Sequence, residues 1–189
     1  MAEAARDTAN CIPPEHELRE AIAASQAETL VLVWLQRMDD CVDRADPAAL
    51  LGVLLRMIGA ETRSDDVWAH IEPGRATRHT AARCICRIYT RDPPQPLFQL
   101  VGTLLAATQS VSLERQVALF YVLAQLFRVH GAQLHSMLAD AAAACVRTLK
   151  SAAAPLVKAH ALALLEQALA HGLPTSKDIQ KSLLSLIHI

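Results

Sequence analysis

Residues 112–172 read SLERQVALFYVLAQLFRVHGAQLHSMLADAAAACVRTLKSAAAPLVKAHALALLEQALAHG, and this stretch decides the fold. Ser112 stands where an N-cap belongs, just ahead of an apolar run, and Gly131 closes that run with the residue suited to a left-handed helix stop. Eight consecutive apolar residues, Val117 to Ala124, imply burial on most sides of the first helix. Leu134, Leu138, Ala142, Cys145 and Leu149 then recur at near-helical spacing as a single stripe. Pro155 opens a third helix near its first position, where a missing N–H costs nothing, and Gly172-Leu173-Pro174 ends it.

The same punctuation continues in both directions. Upstream, Asp92-Pro93-Pro94 breaks the chain, and Leu97, Leu100, Val101, Leu104 and Leu105 follow on one face. Before that break, Thr77, Ala81, Cys84, Ile85 and Ile88 make a stripe from Arg75 to about Tyr89. Asp46 is an expected N-cap with Pro47 at the first helical position, leading into Leu50, Leu51, Leu54, Leu55 and Ile58. Gln26 to Arg44 is another helix, apolar all round at Leu30–Leu35, and Pro13-Pro14 opens a short one. Ser64 is positioned to cap the acidic segment SDDVWAHI. Downstream, Thr175-Ser176-Lys177-Asp178 resembles a capping box ahead of Ile179, Leu183, Leu186 and Ile187. Residues 1–12 are polar and Ala-rich and are expected to form a disordered leader.

Broad apolar helices thus alternate with one-sided ones. Pair starts near 26, 75, 112 and 154 are separated by 49, 37 and 42 residues, close to the ~40–47 of HEAT and armadillo units. Pro155-Leu156-Val157-Lys158, followed by Ala161, Leu164 and Leu165, resembles the opening of the second helix in a HEAT unit. Arg115 with Ala118 and Arg78 with Ala81 repeat the basic and small positions. The HEAT motif's usual leading Asp is replaced by Ala154, and the first pair lacks the pattern. The resemblance implies an all-α chain: a right-handed α-solenoid of about four antiparallel helix pairs (HEAT/armadillo-like superhelix) over residues 13–189. Because the chain stops on SLLSLIHI, with no polar outer face, the array is expected to be truncated or to carry a non-native tail.

Composition agrees with helix. Ala supplies 34 residues and Leu 28, whereas aromatics make up only 4% and glycines number 6. Formal net charge is -1, but residues 1–74 carry 6 Lys/Arg against 14 Asp/Glu and residues 75–189 carry 12 against 5. Such a field steers association rather than fold. The five cysteines, at Cys11, Cys41, Cys84, Cys86 and Cys145, are odd in number and irregular in spacing. With no apolar leader and no run near the ~20 residues of a membrane helix, reduced thiols in an intracellular (cytoplasmic or nuclear) protein are expected.

Arg75, His79, Arg83 and Arg87 share a sector opposite the apolar stripe of their helix. They would grip an acidic peptide or a phosphate chain, or else lie on a solvated face pairing with the acidic first half. Arg78, Arg115 and Lys158 occupy equivalent repeat positions and would form a ladder, either binding an extended acidic ligand or bridging repeats. Trp34 is expected in the core. Trp68, following Asp65-Asp66, is a candidate docking residue. Cys84 is expected to be a core thiol and Cys86 to face the surface. The eight histidines supply no i, i+4 pair with a third ligand, and no G-x-S-x-G or glycine-rich phosphate loop occurs. Neither an enzyme nor a cofactor or metal is therefore expected. The function expected is a protein-binding scaffold or adaptor within a larger assembly; nucleic-acid binding through the Arg75–Arg91 face is the alternative.

Overall fold

A computed structural model describes the chain except residues 1–7, 9, 13, 25, 61–66, 92, 94, 110, 111, 173–176 and 188–189, and except the side chains of residues 69, 70, 178, 186 and 187. Among the described residues all regular structure is helical, so the all-α expectation holds. The chain divides into two compact units, Met1–Pro96 and Leu97–Ile189, where the sequence led us to expect one repeat domain. The division falls at prolines 93, 94 and 96, which cannot continue a helix. Pro13, Ser64, Asp92, Pro94, Leu173, Pro174, Thr175 and Ser176, all expected at helix boundaries, lie outside the described residues.

The first unit contains α1 (Glu15–Ala23), α2 (Ala27–Cys41), α3 (Pro47–Met57) and α4 (Arg75–Arg91), with a 3-10 turn at Val67–His70. α1 starts behind Pro14 with Glu15 and Glu17 in its first turn, where the helix dipole favours carboxylates. Asp46 caps α3 as expected, its Oδ1 accepting the Ala48 N–H at 3.2 Å with Pro47 at the first position. At the other end the Ala60 N–H reaches Leu55 O at 2.9 Å and the Gly59 N–H reaches Arg56 O at 3.0 Å, a Schellman closure. It requires the left-handed φ of 79° that Gly59 adopts. α4 packs on both α2 and α3, and α1 packs on α2 and on the 3-10 turn. Leu35, Met38, Leu54, Ile85 and Ile88 are buried at the centre of this unit.

The leader expectation is corrected at the residues described. Thr8 and Cys11 are buried. Thr8 Oγ1 accepts the Asp46 N–H at 2.8 Å, so a side chain 38 residues away satisfies a backbone donor beside the start of α3. The Sγ atoms of Cys11 and Cys41 meet, which sets this part of the chain against the C-terminal end of α2.

The second unit contains α5 (Leu97–Ala107), α6 (Leu113–His130), α7 (Leu138–Lys150), α8 (Pro155–Leu169) and α9 (Lys177–Ile187). α6 packs against α8, while α5, α7 and α9 form a second row, in which α7 touches both neighbours. The rings of Tyr121 and His160 meet edge-on at 6.0 Å, and the Gly131 backbone meets the His171 ring. These pairs lie 39 and 40 residues apart in sequence, so α6 and α8 run in the same direction with nearly constant register. Phe120 and Phe127 on α6 are fully buried between the rows.

Gly131 corrects one detail of the sequence analysis. Its φ is -55°, an ordinary right-handed value, and no left-handed stop forms there. The chain passes instead through turns and a 3-10 segment at His135–Met137 before α7 begins. At 131 the exposed His171 ring lies in the space a Cβ would take.

Candidate functional site

The basic residues singled out on α4 separate into two groups. Arg75 and His79 are exposed and Arg78 is half-buried. Arg83 and Arg87 instead engage the end of α2. Arg83 Nη2 donates to Asp39 Oδ2 at 2.7 Å and its Nε to Asp39 Oδ1 at 3.2 Å, a bidentate fork. Arg87 Nη1 donates to Asp39 Oδ1 at 3.1 Å and Nη2 to Asp43 Oδ2 at 2.5 Å. For these two residues the ion-paired face is what forms, not an open anion site.

The same arginines finish α2. Arg87 Nη1 donates to the carbonyl of Asp39 at 2.9 Å and Arg91 Nη1 to that of Val42 at 3.1 Å. The last carbonyls of a helix lack intrahelical partners and carry its negative dipole end, so cations from a neighbour satisfy both needs. Burial works against the charge on Arg87, but its hydrogen bonds to Asp43 and Asp39 outweigh that and raise its pKa above the ordinary value. The sequence did contain a signal for this. Asp39 and Asp43 are spaced i, i+4, as are Arg83 and Arg87, and the Arg83–Asp39 and Arg87–Asp43 pairs each span 44 residues.

Cys84 lies beneath this network and donates its S–H to Asp39 Oδ1 at 3.5 Å. Desolvation, followed by the Asp39 charge, pushes the thiol up to about 12, so it stays protonated and unreactive. Cys86 is 8% exposed, which corrects its expected surface position. A helix packed on two neighbours buries more than one stripe, and positions two apart can both be covered. Cys145 is buried in the second unit and is also pushed up to about 12, chiefly by desolvation.

Trp68 requires a correction as well. It is 2% exposed, held in the 3-10 turn that packs on α1, and offers no surface to a partner in this conformation. Its acidic sequence neighbours suggested exposure, but a large aromatic gains more from burial than any local pattern dictates. Trp34 is buried as expected, with the Arg37 guanidinium stacked at 4.6 Å from its ring centroid. Arg115 and Lys158 are half-buried near the starts of the adjoining helices α6 and α8; Arg78 belongs to the other unit.

The open apolar surfaces were not legible in the sequence. Leu30–Leu35 of α2 and most of α8 are apolar all round, a pattern that implies cover on two sides. Yet Val33 on α2 is 44% exposed, and on α8 Leu156 and Leu162 are 49% and 52% exposed, with Ala159 exposed between them. Only α6 is buried on most sides as its composition demands. Among the described residues no group of three or more His, Cys, Asp or Glu is placed to hold a metal ion, and no helix is long and apolar enough to cross a membrane. No family model, curated protein or solved structure matches the chain.

Proposed function

We propose that this chain is a protein-binding scaffold or adaptor, a HEAT/armadillo-like right-handed α-solenoid of about four helix pairs working inside the cell as part of a larger assembly. The outward side of α8 carries this reading. Leu156, Ala159 and Leu162 recur at i, i+3 and i+6 on a helix whose other side is packed on α6 and α7. Singly exposed apolar residues are ordinary, but an aligned stripe on a regular helix presents a surface that gains by being covered. Support for a repeat comes from parallel helices in each unit, paired at offsets of 39–40 residues for α6 with α8 and 44–49 for α2 with α4.

The double variant Leu156→Glu, Leu162→Glu tests the reading. Both positions are exposed, so thermal stability should hold while proteins captured by the wild-type chain from a cell extract are lost. An identical captured set from both proteins overturns the role of α8. Nucleic-acid binding through α4 draws less support, because Arg83 and Arg87 spend their N–H groups on Asp39 and Asp43. It would require tight heparin retention that falls steeply with salt.

A further inference from the structure

An open groove of about 600 Å³ runs between α1 and α2, lined by Glu17, Glu20, Ala21, Leu30 and Val33 among others. Its charged lining residues are both carboxylates. They lie three positions apart on α1, so they sit one turn from each other beside an apolar floor. The second unit carries the complementary shape. On α9, Lys177, Lys181 and Leu184 recur at i, i+4 and i+7 and are all exposed, Leu184 at 58%. That face presents two ammonium groups one turn apart and then a large apolar side chain.

We infer that the chain associates with itself head to tail, α9 of one copy lying in the α1–α2 groove of the next. Lys177 and Lys181 meet Glu17 and Glu20, and Leu184 covers Leu30 and Val33. Two cations facing two carboxylates, with a large apolar side chain over an apolar floor, make the two surfaces complementary. The surfaces differ from one another, so the contact is heterologous and grows an open chain unless its rotation closes a ring. The ion pairs are solvent-exposed, so association is weak, rises with protein concentration and falls with salt. The inference is independent of the scaffold reading, which rests on α8.

Sedimentation velocity on the full chain tests it. The wild type should show a mass average that climbs with concentration and drops with added salt. Glu17→Lys with Glu20→Lys makes groove and α9 both basic; Lys177→Glu with Lys181→Glu makes both acidic. Each variant alone should self-associate on the order of tenfold or more weakly, through like-charge contact. An equimolar mixture should regain assembly, because every junction is again opposite in sign, and that recovery excludes misfolding as the cause of the loss. A wild type monomeric at all concentrations overturns the inference, as does association unchanged in both variants or a mixture that fails to recover. The variant Leu156→Glu, Leu162→Glu should assemble like the wild type; its loss of assembly would move the junction to α8 and overturn the groove assignment.

Discussion

Asp39 carries more of the first unit than its position near the end of a helix suggests. Its carboxylate accepts from Arg83, Arg87 and Cys84, and its side chain is only 13% exposed. Asp39→Ala leaves two guanidinium groups and a thiol short of an acceptor and should cost about 1–3 kcal/mol in urea denaturation. Asp43 is 63% exposed and shares only Arg87, so Asp43→Ala should stay within about 0.5 kcal/mol. Equal losses would mean the network is not centred on Asp39. The glycines make a second contrast. Gly131→Ala must move the His171 ring, an exposed side chain that can rotate aside, so its cost should stay within about 1 kcal/mol. Gly52 sits inside α3 with nothing within 4 Å of an added Cβ, so Gly52→Ala should stabilise by about 0.4–1 kcal/mol. Local sequence cannot tell these glycines apart, since the group filling the space at 131 lies forty residues further along.

Helix boundaries were the most legible level. Asp46 and Pro47 open α3 where the sequence places them, because capping depends on a few adjacent residues. Asp46→Ala should therefore cost about 1 kcal/mol of stability, measured by thermal unfolding. The stripes on α3, α4 and α5 were legible too, since Leu50, Leu54, Ile85, Leu100 and Leu104 are buried where 3.6-residue spacing puts them. What each helix packs against was not. LVLVWL in α2 and the apolar breadth of α8 gave the same signal as Val117–Ala124 in α6, yet only α6 is enclosed on most sides. Composition reports how much surface can be buried, and tertiary partners decide how much is. Trp68 illustrates the converse, a buried ring in a segment with no periodic pattern to announce it.

At the level of the whole molecule each unit holds one deeply buried thiol, Cys84 in the first and Cys145 in the second, both pushed up to about 12. In the unfolded chain such thiols titrate near 9.0. The folded state therefore favours the protonated form, so this stabilisation is complete below about pH 9 and is lost as pH rises from there towards 12. Stability should decline over that range, and the decline should be shallower in the Cys84→Ala, Cys145→Ala double variant. Iodoacetamide at neutral pH should leave both thiols unlabelled in the native protein and label both in denaturant. The break at Asp92-Pro93-Pro94 was legible as an interruption between helices, but not as the boundary between two units.

The parallel register of α2 and α4 has a consequence for how this chain tolerates change. The Arg83–Asp39 and Arg87–Asp43 pairs each span 44 residues because two helix faces meet, while the number of residues joining the helices plays no part in that meeting. One residue spliced in between Arg75 and Arg83 would turn the arginine row by about 100° and uncouple it from Asp39 and Asp43 together.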